Sequence, residues 1–476
     1  MAMHKKYLSL TTTLPYVNSA PHVGFALEIV QADVVARFKK STGYDVFFNF
    51  GTDEHGLKIY KKAQEQDKDP QDYVDEYAKK FDKLKAALNL NYNSFIRTTD
   101  PHHIKAAQEF WERCKANGDI YKKIYKTKYC IGCELEKTDS ELENGKCPLH
   151  PNVDLETIEE ENYFFKFSKY QKPLLEFYEK NPNFVVPGFR FNEIKTFVRG
   201  GLQDFSISRV KDKMPWGVDV PNDPKQVISV WFDALVNYVS AMGWPDDLTK
   251  FNKWWPVIQF AGKDNLRQQT AIWQAMLMSA GLPNSKQVFI HGFITVNGQK
   301  ISKSLGNVIN PFDLVNKYGT DAVRYYLLAK INPYEDSDFT KEKFEDIFNS
   351  DLANGLGNLV SRIAKLCETS GFEFESKEID EFDENISKSL NEFRFDEAIK
   401  VIFEKYITAL DQKINKEEPW KLQGKDLEVF LKDAVRVIRT ISSNLSPFLP
   451  ETAEKIEEQF KGPKIKSGSP LFPRLK

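Results

Sequence analysis

A strand that turns sharply into a helix near the N-terminus constrains the fold more than any other stretch of the sequence. Residues 7–13 form a β-branched, alternating run typical of a strand, and apolar side chains recur at helical spacing over 27–38. The turn between them, 14–25, places prolines and a glycine where the backbone can approach a ligand closely. The N-terminus of the new helix offers free N–H groups and a positive dipole end, which favour a phosphate. We therefore predict a phosphate-binding turn with His22 as a donor, a structural histidine being the alternative.

A basic loop far along the chain supports this interpretation of the first turn. Residues 300–307 carry two lysines and two hydroxyl groups after the turn signal Asn297-Gly298. Taken alone, the loop is typical of a solvated basic surface. Together, the turn and the loop resemble the two signature motifs of the class I aminoacyl-tRNA synthetases, whose lysine loop closes over ATP. Phe25 stands where that family has its second histidine, which leaves one fewer donor for the triphosphate.

Length, charge and cysteine usage limit the classes of protein to consider. A chain of 476 residues is too long for one core and predicts about three domains. Its 66 Lys and Arg residues against 68 Asp and Glu give a net charge of −2, so local basic patches must hold any polyanion. No signal peptide or membrane-spanning window is present, and we expect a cytoplasmic protein. The five cysteines, three of them clustered, favour a metal site over a disulfide framework.

Buried strands alternate with helices in the first and middle parts of the chain. Residues 46–50 form an apolar run typical of a strand buried on both faces of a parallel sheet, and the loop 51–56 follows it. Open α/β sheets bind ligands at this end of a strand, so Asp53 is predicted to meet a cationic substrate group. The alternative is a polar turn selected for conformation alone. Further candidates predict a doubly wound sheet that is interrupted and then resumes: 94–97, 227–234, 257–262 and 288–292.

The interruption contains a cysteine and histidine pattern specific to zinc. Two knuckles bring three thiolates and one imidazole to a tetrahedral centre: Cys130, Cys133, Cys147 and His150. A chance order of four unrelated residues is the alternative. Because protein ligands fill all four positions, the predicted role of the single Zn²⁺ is structural, in a lobe too small to build its own core.

Helical patterns alone remain after about residue 341. They cover 351–367, 392–414 and 427–443, and an acidic connection lies at 378–385. The last third of the chain is therefore predicted to be a separate all-helical bundle.

With these motifs in order, the sequence resembles the methionyl-tRNA synthetases from Tyr7 to Leu475. The matched hallmarks are the cysteine-rich insert, the lysine loop and four short motifs at 14–16, 51–56, 231–234 and 262–264. The implied fold is α/β, a split Rossmann-type parallel sheet with an inserted zinc-binding connecting domain, followed by an all-α helix-bundle anticodon-binding domain. The implied domains are the first catalytic half (1–118), the connecting domain (119–225), the second catalytic half (226–293), a lysine-loop and stem-contact segment (294–345) and the anticodon-binding domain (346–476).

The resemblance also implies an activity and its partners. Methionine would be activated by ATP, with Mg²⁺, to methionyl-adenylate and pyrophosphate, and then transferred to the 3′ end of tRNA(Met). Such a step needs in-line placement and neutralised phosphate charge rather than a protein nucleophile. No appended dimerising domain follows the closing stretch 470–474, so a monomer is expected.

Site residues follow from the same resemblance, motif by motif. His22, Lys300 and Lys303 are the implied catalytic donors, and Gly24 and Ser302 complete the ATP site. The implied methionine site consists of Leu14, Tyr16, Asp53, Trp231, Ala234 and Tyr238, with Asp53 as the partner of the ammonium group. The implied anticodon readers are Asn358, Arg362 and Trp420, residue types that hydrogen-bond to and stack on unstacked bases. The alternatives are a core position for Trp420 and a solvated i,i+4 pair for Asn358 and Arg362.

The methionine pocket contains a departure from the family. After 262–264 the usual pattern has an apolar residue and, four positions later, a histidine, whereas this chain has Asn265 and Gln269. One helical turn apart, the two amides are predicted to share a face and border the pocket. The Gln269 amide can donate toward a thioether, a weak acceptor, with selectivity resting mainly on Tyr16, Trp231 and shape. The alternative is that both amides face away and satisfy neighbouring backbone.

Three other functions share part of this pattern. A synthetase for leucine, valine, isoleucine or cysteine would share the turn and the lysine loop, but the Asp53 loop and 231–238 argue against it. A tRNA-binding paralogue with weak catalysis would explain Phe25, but retention of Lys300 and Lys303 argues against decay. A small-molecule nucleotidyltransferase would share the sheet but not the zinc insert or the helical domain.

Overall fold

The computed structural model describes four stretches of the chain: 5–137, 139–301, 306–375 and 382–475. Ser302, Lys303 and the side chain of Lys300 lie outside the described residues, as do residues 378–381, the first half of the acidic connection. Within the described part of the chain, no helix combines the length and the apolar character needed to cross a membrane.

The chain divides into two compact units, each assembled from segments distant in sequence. The first unit comprises Met1–Pro21, Gly43–Lys83 and Tyr92–Ile290. The second comprises His22–Thr42, Leu84–Asn91 and His291–Lys476. The first strand and the helix that follows it therefore belong to different units. The domain boundaries drawn from the sequence stay predictions, because compactness alone assigns no function.

Strands dominate the first unit and helices the second. In chain order the strands are β1 Lys6–Thr12, β2 Tyr44–Thr52, β3 Ser94–Arg97, β4 Ile120–Cys130, β5 Leu135–Lys137, β6 Glu156–Phe165, β7 Val185–Val186, β8 Phe205–Ser206, β9 Ser208–Val210, β10 Asp219–Val220, β11 Asp223–Ile228, β12 Ile258–Gly262, β13 Gln287–His291, β14 Ile294–Val296, β15 Gln299–Lys300 and β16 Ser337–Phe339.

The α-helices vary from a single turn to six turns. In chain order they are α1 Val23–Ser41, α2 Leu57–Gln64, α3 Pro70–Asp82, α4 Leu84–Ala87, α5 Pro101–Ala116, α6 Gln171–Lys180, α7 Gly188–Arg199, α8 Val230–Leu235, α9 Asn237–Ser240, α10 Leu248–Trp254, α11 Trp273–Ser279, α12 Pro311–Tyr318, α13 Thr320–Ala329, α14 Lys341–Ile347, α15 Asn358–Ser370, α16 Glu384–Asn391, α17 Phe395–Val401, α18 Ala409–Glu417, α19 Gly424–Leu445 and α20 Pro450–Phe460. Short 3₁₀ helices cover Asp139–Glu141, Phe167–Tyr170, Lys263–Asn265 and Pro419–Lys421. Stretches of π-helix cover Gln268–Ile272, Phe348–Gly357 and Ile402–Thr408.

A six-stranded sheet in the order β3-β2-β1-β12-β13-β7 forms the centre of the first unit. Strand β1 pairs in parallel with both β2 and β12, and β2 pairs in parallel with β3. The split parallel sheet predicted from the sequence is confirmed. Its last strand, the two-residue β7, pairs in parallel with β13 although it lies inside the predicted connecting segment. Two residues carry no periodicity, so the sequence pattern could not reveal this strand.

Smaller antiparallel sheets occupy the segment between the two halves of the main sheet. One has the order β5-β4-β6-β8 and contains the first zinc knuckle at the end of β4, and the other has the order β10-β11-β9. The stretch 227–234 does turn from strand into helix, but its strand β11 pairs antiparallel with β9 and β10. After the two-residue β7, the main sheet therefore continues at β12 and not at residue 227.

Aromatic side chains fill the core of the first unit. Phe110, Trp111 and Phe232 are almost fully buried together with Trp244 and Trp273. The Phe110 ring stacks on Trp273, with 5.5 Å between the ring centroids. Large rings bury much apolar surface at a small cost in side-chain entropy, which makes this cluster a rigid base beneath the sheet.

The second unit consists mainly of helices, as the sequence predicted for the last third of the chain. It contains α1 and α4, the helices from α12 onward and the small sheet β15-β14-β16. Every regular element described beyond residue 340 is helical, and π-helical stretches interrupt two of the long helical runs. The parallel pairing of β14 with β16 brings residues 294–296 beside 337–339 ahead of the first bundle helix.

Arg324, on α13, ties distant segments of the second unit together. Its guanidinium donates to the carbonyl oxygens of Leu88, Pro447 and Phe448 at 2.7–3.0 Å. A fourth contact, at 2.9 Å, pairs it with the carboxylate of Asp33 on α1, and both side chains are fully buried. A buried guanidinium is tolerated only when its donors are satisfied, as they are here.

We expect Arg324→Met to destabilise the second unit by about 3–5 kcal/mol, because three carbonyls lose their donor and the buried Asp33 keeps only one of its two guanidinium partners, Arg37. Urea unfolding followed by circular dichroism measures this loss. Arg436→Met is the matched control, since Arg436 pairs with Asp433 at 2.6 Å on the surface and should contribute less than about 1 kcal/mol. Equal losses in the two variants would contradict the prediction.

Candidate functional site

Backbone pairing continues past the ends of β1 and β2 and brings two predicted site residues together. The Asp53 N–H donates to the Pro15 carbonyl at 3.0 Å, and the Val17 N–H donates to the Asp53 carbonyl at 3.1 Å. Tyr16 and Asp53 therefore form a parallel bridge. Both lie at the carboxyl ends of parallel strands, the edge at which open α/β sheets bind ligands.

The Asp53 carboxylate is buried but incompletely paired. The residue is 7% exposed, and its Oδ1 atom is buried with no hydrogen-bond partner among the described residues. Burial and the nearby charge of Asp233 raise its pKa well above the ordinary range. The adjacent Glu54 is also buried, yet it receives Nε and Nη2 of Arg97 at 2.7 and 2.8 Å. Of these two neighbouring carboxylates, one is paired with an arginine and the other has no such partner among the described residues.

A chain of buried hydrogen bonds supports this loop, and sequence reasoning missed it. Asp233 contacts His55 Nδ1 at 2.6 Å and His103 Nε2 at 2.9 Å, and His103 Nδ1 contacts the Ser240 hydroxyl at 2.9 Å. Burial alone would raise the pKa of Asp233, but the two imidazoles lower it to about 2. Asp233 is therefore an anion that fixes both rings. His103 gave no local signal because its partners lie more than 100 positions away.

Tyr16 and Trp231 both bond to residues of the cysteine-rich insert. The Tyr16 hydroxyl makes a bifurcated hydrogen bond, donating to the His55 carbonyl at 2.7 Å and to Glu134 Oε1 at 3.1 Å. Burial, with the charges of Glu134 and Asp53, raises the pKa of Tyr16 well above its ordinary value, so the phenol stays a donor. The Trp231 indole N–H donates to the carbonyl of a zinc-knuckle residue, Cys133, at 3.2 Å.

Gln269 is buried beside Tyr238 in the first unit, whereas Asn265 is only half-buried. The Gln269 amide donates to the Tyr238 hydroxyl at 2.7 Å and accepts from Gln259 at 2.9 Å, and all three side chains are buried. These partners are side chains, so the alternative that Gln269 only satisfies neighbouring backbone is wrong. Asn265 is half-buried and donates to the adjacent Asp264 at 3.1 Å. Two further predicted pocket residues also lie in this unit, the half-buried Leu14 and the buried Ala234.

His22 caps the N-terminus of α1 in the second unit. Its Nδ1 accepts from the Gly24 N–H at 3.1 Å, so a neutral ring carries its proton on Nε2. A side chain at Gly24 would place Cβ 2.9 Å from His22 Cε1, which explains the glycine. Phe25 stacks on the imidazole with 4.3 Å between centroids. The residue that replaces the expected second histidine thus orients the first one.

The four predicted zinc ligands come together in the first unit. Cys130, Cys133, Cys147 and His150 place one ligand atom each within 4.8 Å of all the others. Four of these separations are 3.2–4.0 Å, with Nδ1 as the imidazole atom. Zinc–sulfur bonds of about 2.3 Å in a tetrahedron put neighbouring donors about 3.8 Å apart, so the set fits Zn²⁺. Gly132 is required because its Cβ would lie 2.4 Å from His150 Cγ.

Comparison with known proteins agrees with this geometry. The family model described as "tRNA synthetases class I (M)" matches residues 8–156 and 132–364. The methionine–tRNA ligase of Synechocystis is 44% identical over 476 residues, covering 95% of this chain and 89% of the relative. That of Thermotoga maritima is 43% identical, covering 94% and 74%. The chain belongs to the methionyl-tRNA synthetase family.

A solved structure of a family member supports the same assignment. The Mycobacterium tuberculosis methionyl-tRNA synthetase in complex with methionyl-adenylate is 32% identical, with a TM-score of 0.90, and the match covers 98% of this chain and 100% of that one. This member of the family is therefore a class I aminoacyl-tRNA synthetase that activates methionine with ATP and ligates it to tRNA. The activity expected from the sequence motifs is confirmed.

The predicted anticodon readers lie on the helical bundle. Trp420 is 54% exposed on the short helix that follows α18, so the alternative of a core residue is wrong. Arg362, on α15, donates to Asp411 at 2.7 Å and to Asn415 at 3.2 Å, both on α18. Asn358 is exposed at the start of α15. The helical bundle thus presents an exposed aromatic ring, and it holds an arginine in place through an acidic partner.

We expect one zinc ion per chain, with Cys130→Ser lowering both the zinc content and the thermal stability of the first unit. Loss of a thiolate weakens the ion's affinity, and the binding energy of a structural zinc contributes directly to folding. Metal analysis and calorimetry measure the two effects. Cys367→Ser serves as the control, because this buried thiol lies in the helical bundle and should leave the zinc content unchanged. Wild-type protein without zinc would contradict the prediction.

Proposed function

We propose that Asp53 binds the ammonium group of methionine and that the first unit supplies the amino-acid site. The observation that carries this proposal is the buried, unpartnered Oδ1 at the carboxyl end of a parallel strand. A cationic ligand would compensate the desolvated carboxylate, which is otherwise costly to bury. The raised pKa of Asp53 agrees with a group that awaits a positive partner.

The substrate side chain would contact the pocket residues that the sequence motifs predict. We assign the pocket to Leu14, Tyr16, Trp231, Ala234 and Tyr238, with Asn265 and Gln269 near it. Because the Tyr238 hydroxyl accepts from the Gln269 amide, Gln269 would set the direction in which the tyrosine proton points. In this assignment Gln269 acts mainly through Tyr238, with shape and the aromatic rings selecting methionine.

The ATP site is assigned to residues of the second unit. His22, Lys300 and Lys303 would donate to the phosphates, aided by Gly24 and Ser302. The carboxylate oxygen of methionine attacks the α-phosphorus, pyrophosphate leaves, and the ribose hydroxyl of tRNA(Met) later displaces AMP from the adenylate. Mg²⁺ would enter with ATP and neutralise phosphate charge. Positioning and charge stabilisation suffice for both steps, so no protein nucleophile is needed.

The proposal also covers the metal ion, the tRNA, the cellular compartment and the oligomeric state. The zinc ion would be structural, held by the four-ligand cluster, and would supply no chemistry. The anticodon of tRNA(Met) would be read by Asn358, Arg362 and Trp420. We place the protein in the cytoplasm, whose reducing environment agrees with the free thiols of the described cysteines. We also propose that it is a monomer.

The test of the amino-acid site is ATP–pyrophosphate exchange screened over the standard amino acids. Wild-type protein should respond to methionine, and Asp53→Asn should raise the methionine KM at least tenfold, since an ion pair to the ammonium group is lost. The control Asp45→Asn alters an exposed carboxylate of β2 that pairs with Lys5 at 3.9 Å, and should behave as wild type. Exchange with a different amino acid would sink the methionine assignment.

Asp53→Asn should also stabilise the protein without ligand. Its raised folded-state pKa means that the folded chain binds this proton more tightly than the unfolded chain. The carboxylate therefore costs stability above its unfolded pKa of about 4, and the cost grows until pH passes the folded value. The variant's gain in Tm should be larger at pH 8 than at pH 4.

A separate experiment tests anticodon recognition. Trp420→Ala should lower tRNA charging while sparing methionine-dependent exchange, because base stacking on an aromatic ring is worth about 1–3 kcal/mol. Val429→Ala, at another exposed apolar position of the bundle with 60% exposure, is the control. Equal loss of charging and exchange in Trp420→Ala would indicate a structural role instead.

A further inference from the structure

Glu134 has a backbone conformation that its residue type disfavours. It follows the second cysteine of the zinc knuckle and has a φ of +53°, in the left-handed region. That region is sterically unfavourable for a residue with a β-carbon, whereas glycine occupies it readily. A glutamate at such a position suggests that its side chain makes contacts that a glycine could not make.

The side chain of Glu134 is buried and fully engaged. The residue is 6% exposed, and its Oε1 accepts from the Lys58 backbone N–H at 2.8 Å and lies 3.1 Å from the Tyr16 hydroxyl. The other oxygen accepts from the Tyr129 hydroxyl. The Arg209 guanidinium lies over the Tyr129 ring, 4.4 Å from its centroid. The carboxylate is thus fixed from both sides, and Tyr16 is one of the groups it fixes.

The Tyr16 hydroxyl lies in a confined space beside Gly56. The α-carbon of Gly56 lies so close that an added Cβ would be 2.2 Å from the hydroxyl oxygen and 3.1 Å from Glu134 Oε1. Gly56 itself has a φ of +115°, which requires glycine. The phenolic oxygen of Tyr16 is therefore closely surrounded by the His55 carbonyl, Gly56 and the Glu134 carboxylate.

We propose that Glu134 is a positioning residue for methionine binding, which it serves by holding the Tyr16 ring in place from the zinc knuckle. The inference rests on the proposed role of Tyr16 in the methionine site. The neighbouring Cys133 acts in the same sense, since its carbonyl accepts the Trp231 indole N–H. Two consecutive residues of the metal-binding insert thus orient the two aromatic residues assigned to the substrate side chain.

The decisive variant is Glu134→Gly, which removes the carboxylate and suits the left-handed backbone. It should raise the methionine KM in ATP–pyrophosphate exchange roughly fivefold, the effect of one lost hydrogen bond, with kcat and the ATP KM within twofold of wild type. Zinc content should stay at the wild-type value. Glu134→Gln retains an oxygen for Tyr16 and should restore most of the methionine affinity. Glu159→Gln, an exposed carboxylate of the same insert, is the matched control.

A double-mutant cycle with Tyr16→Phe separates positioning from a general structural role. If Glu134 acts through the Tyr16 hydroxyl, Glu134→Gly should add little to the methionine KM of Tyr16→Phe. An unchanged KM in Glu134→Gly, multiplicative effects in the double variant, or loss of zinc with the raised KM would each overturn the proposal. If Glu134→Gly does not fold, Tyr129→Phe in the same cycle provides the same test. Wild-type protein inactive with methionine would instead refute the proposed function.

Discussion

The parallel backbone pairing between the turn after β1 and the loop after β2 is the contact on which the site depends. It extends the sheet by one bridge, from Tyr16 to Asp53, after both strands have ended. Parallel strands present their carboxyl ends at one edge, so side chains distant in sequence become neighbours there. A slip of one residue would turn Asp53 to the other face of the sheet. The pairing therefore determines which side chains face the candidate site as well as where the site lies.

Buried charge is distributed unequally around this edge. Glu54 is neutralised by Arg97, and Asp233 is held by two imidazoles, so the protein has compensated these anions internally. Asp53 has no such cation among the described residues, and burial together with Asp233 raises its pKa. An incompletely compensated carboxylate costs stability in the free protein. Under the proposed function, that cost would be recovered as binding energy when the ammonium group of methionine pairs with Asp53, a common trade between stability and function.

The features of this molecule that could be predicted from the sequence are those that depend on a local pattern. The strand before residue 51, the zinc ligands and the exposed Trp420 each have a signal within a few residues, through periodicity, ligand spacing or motif. His103, Glu134 and Arg324 have none, because the partners that define their roles lie 118 or more positions away: Asp233, Tyr16 and Phe448. The left-handed backbone at Glu134 was equally invisible, since a glutamate gives no hint of a positive φ.

The departure at Gln269 keeps the chemistry of the histidine expected there while removing its dependence on pH. A neutral imidazole offers one donor and one acceptor, and the Gln269 amide uses one of each, donating to Tyr238 and accepting from Gln259. An imidazole can gain a proton near neutral pH and would then lose its acceptor, whereas an amide does not titrate in this range. Gln259, paired beside Thr11 on the central strands, supplies the matching donor. The direction of the Tyr238 hydroxyl is therefore set by two amides that hold their hydrogen bonds across the physiological pH range.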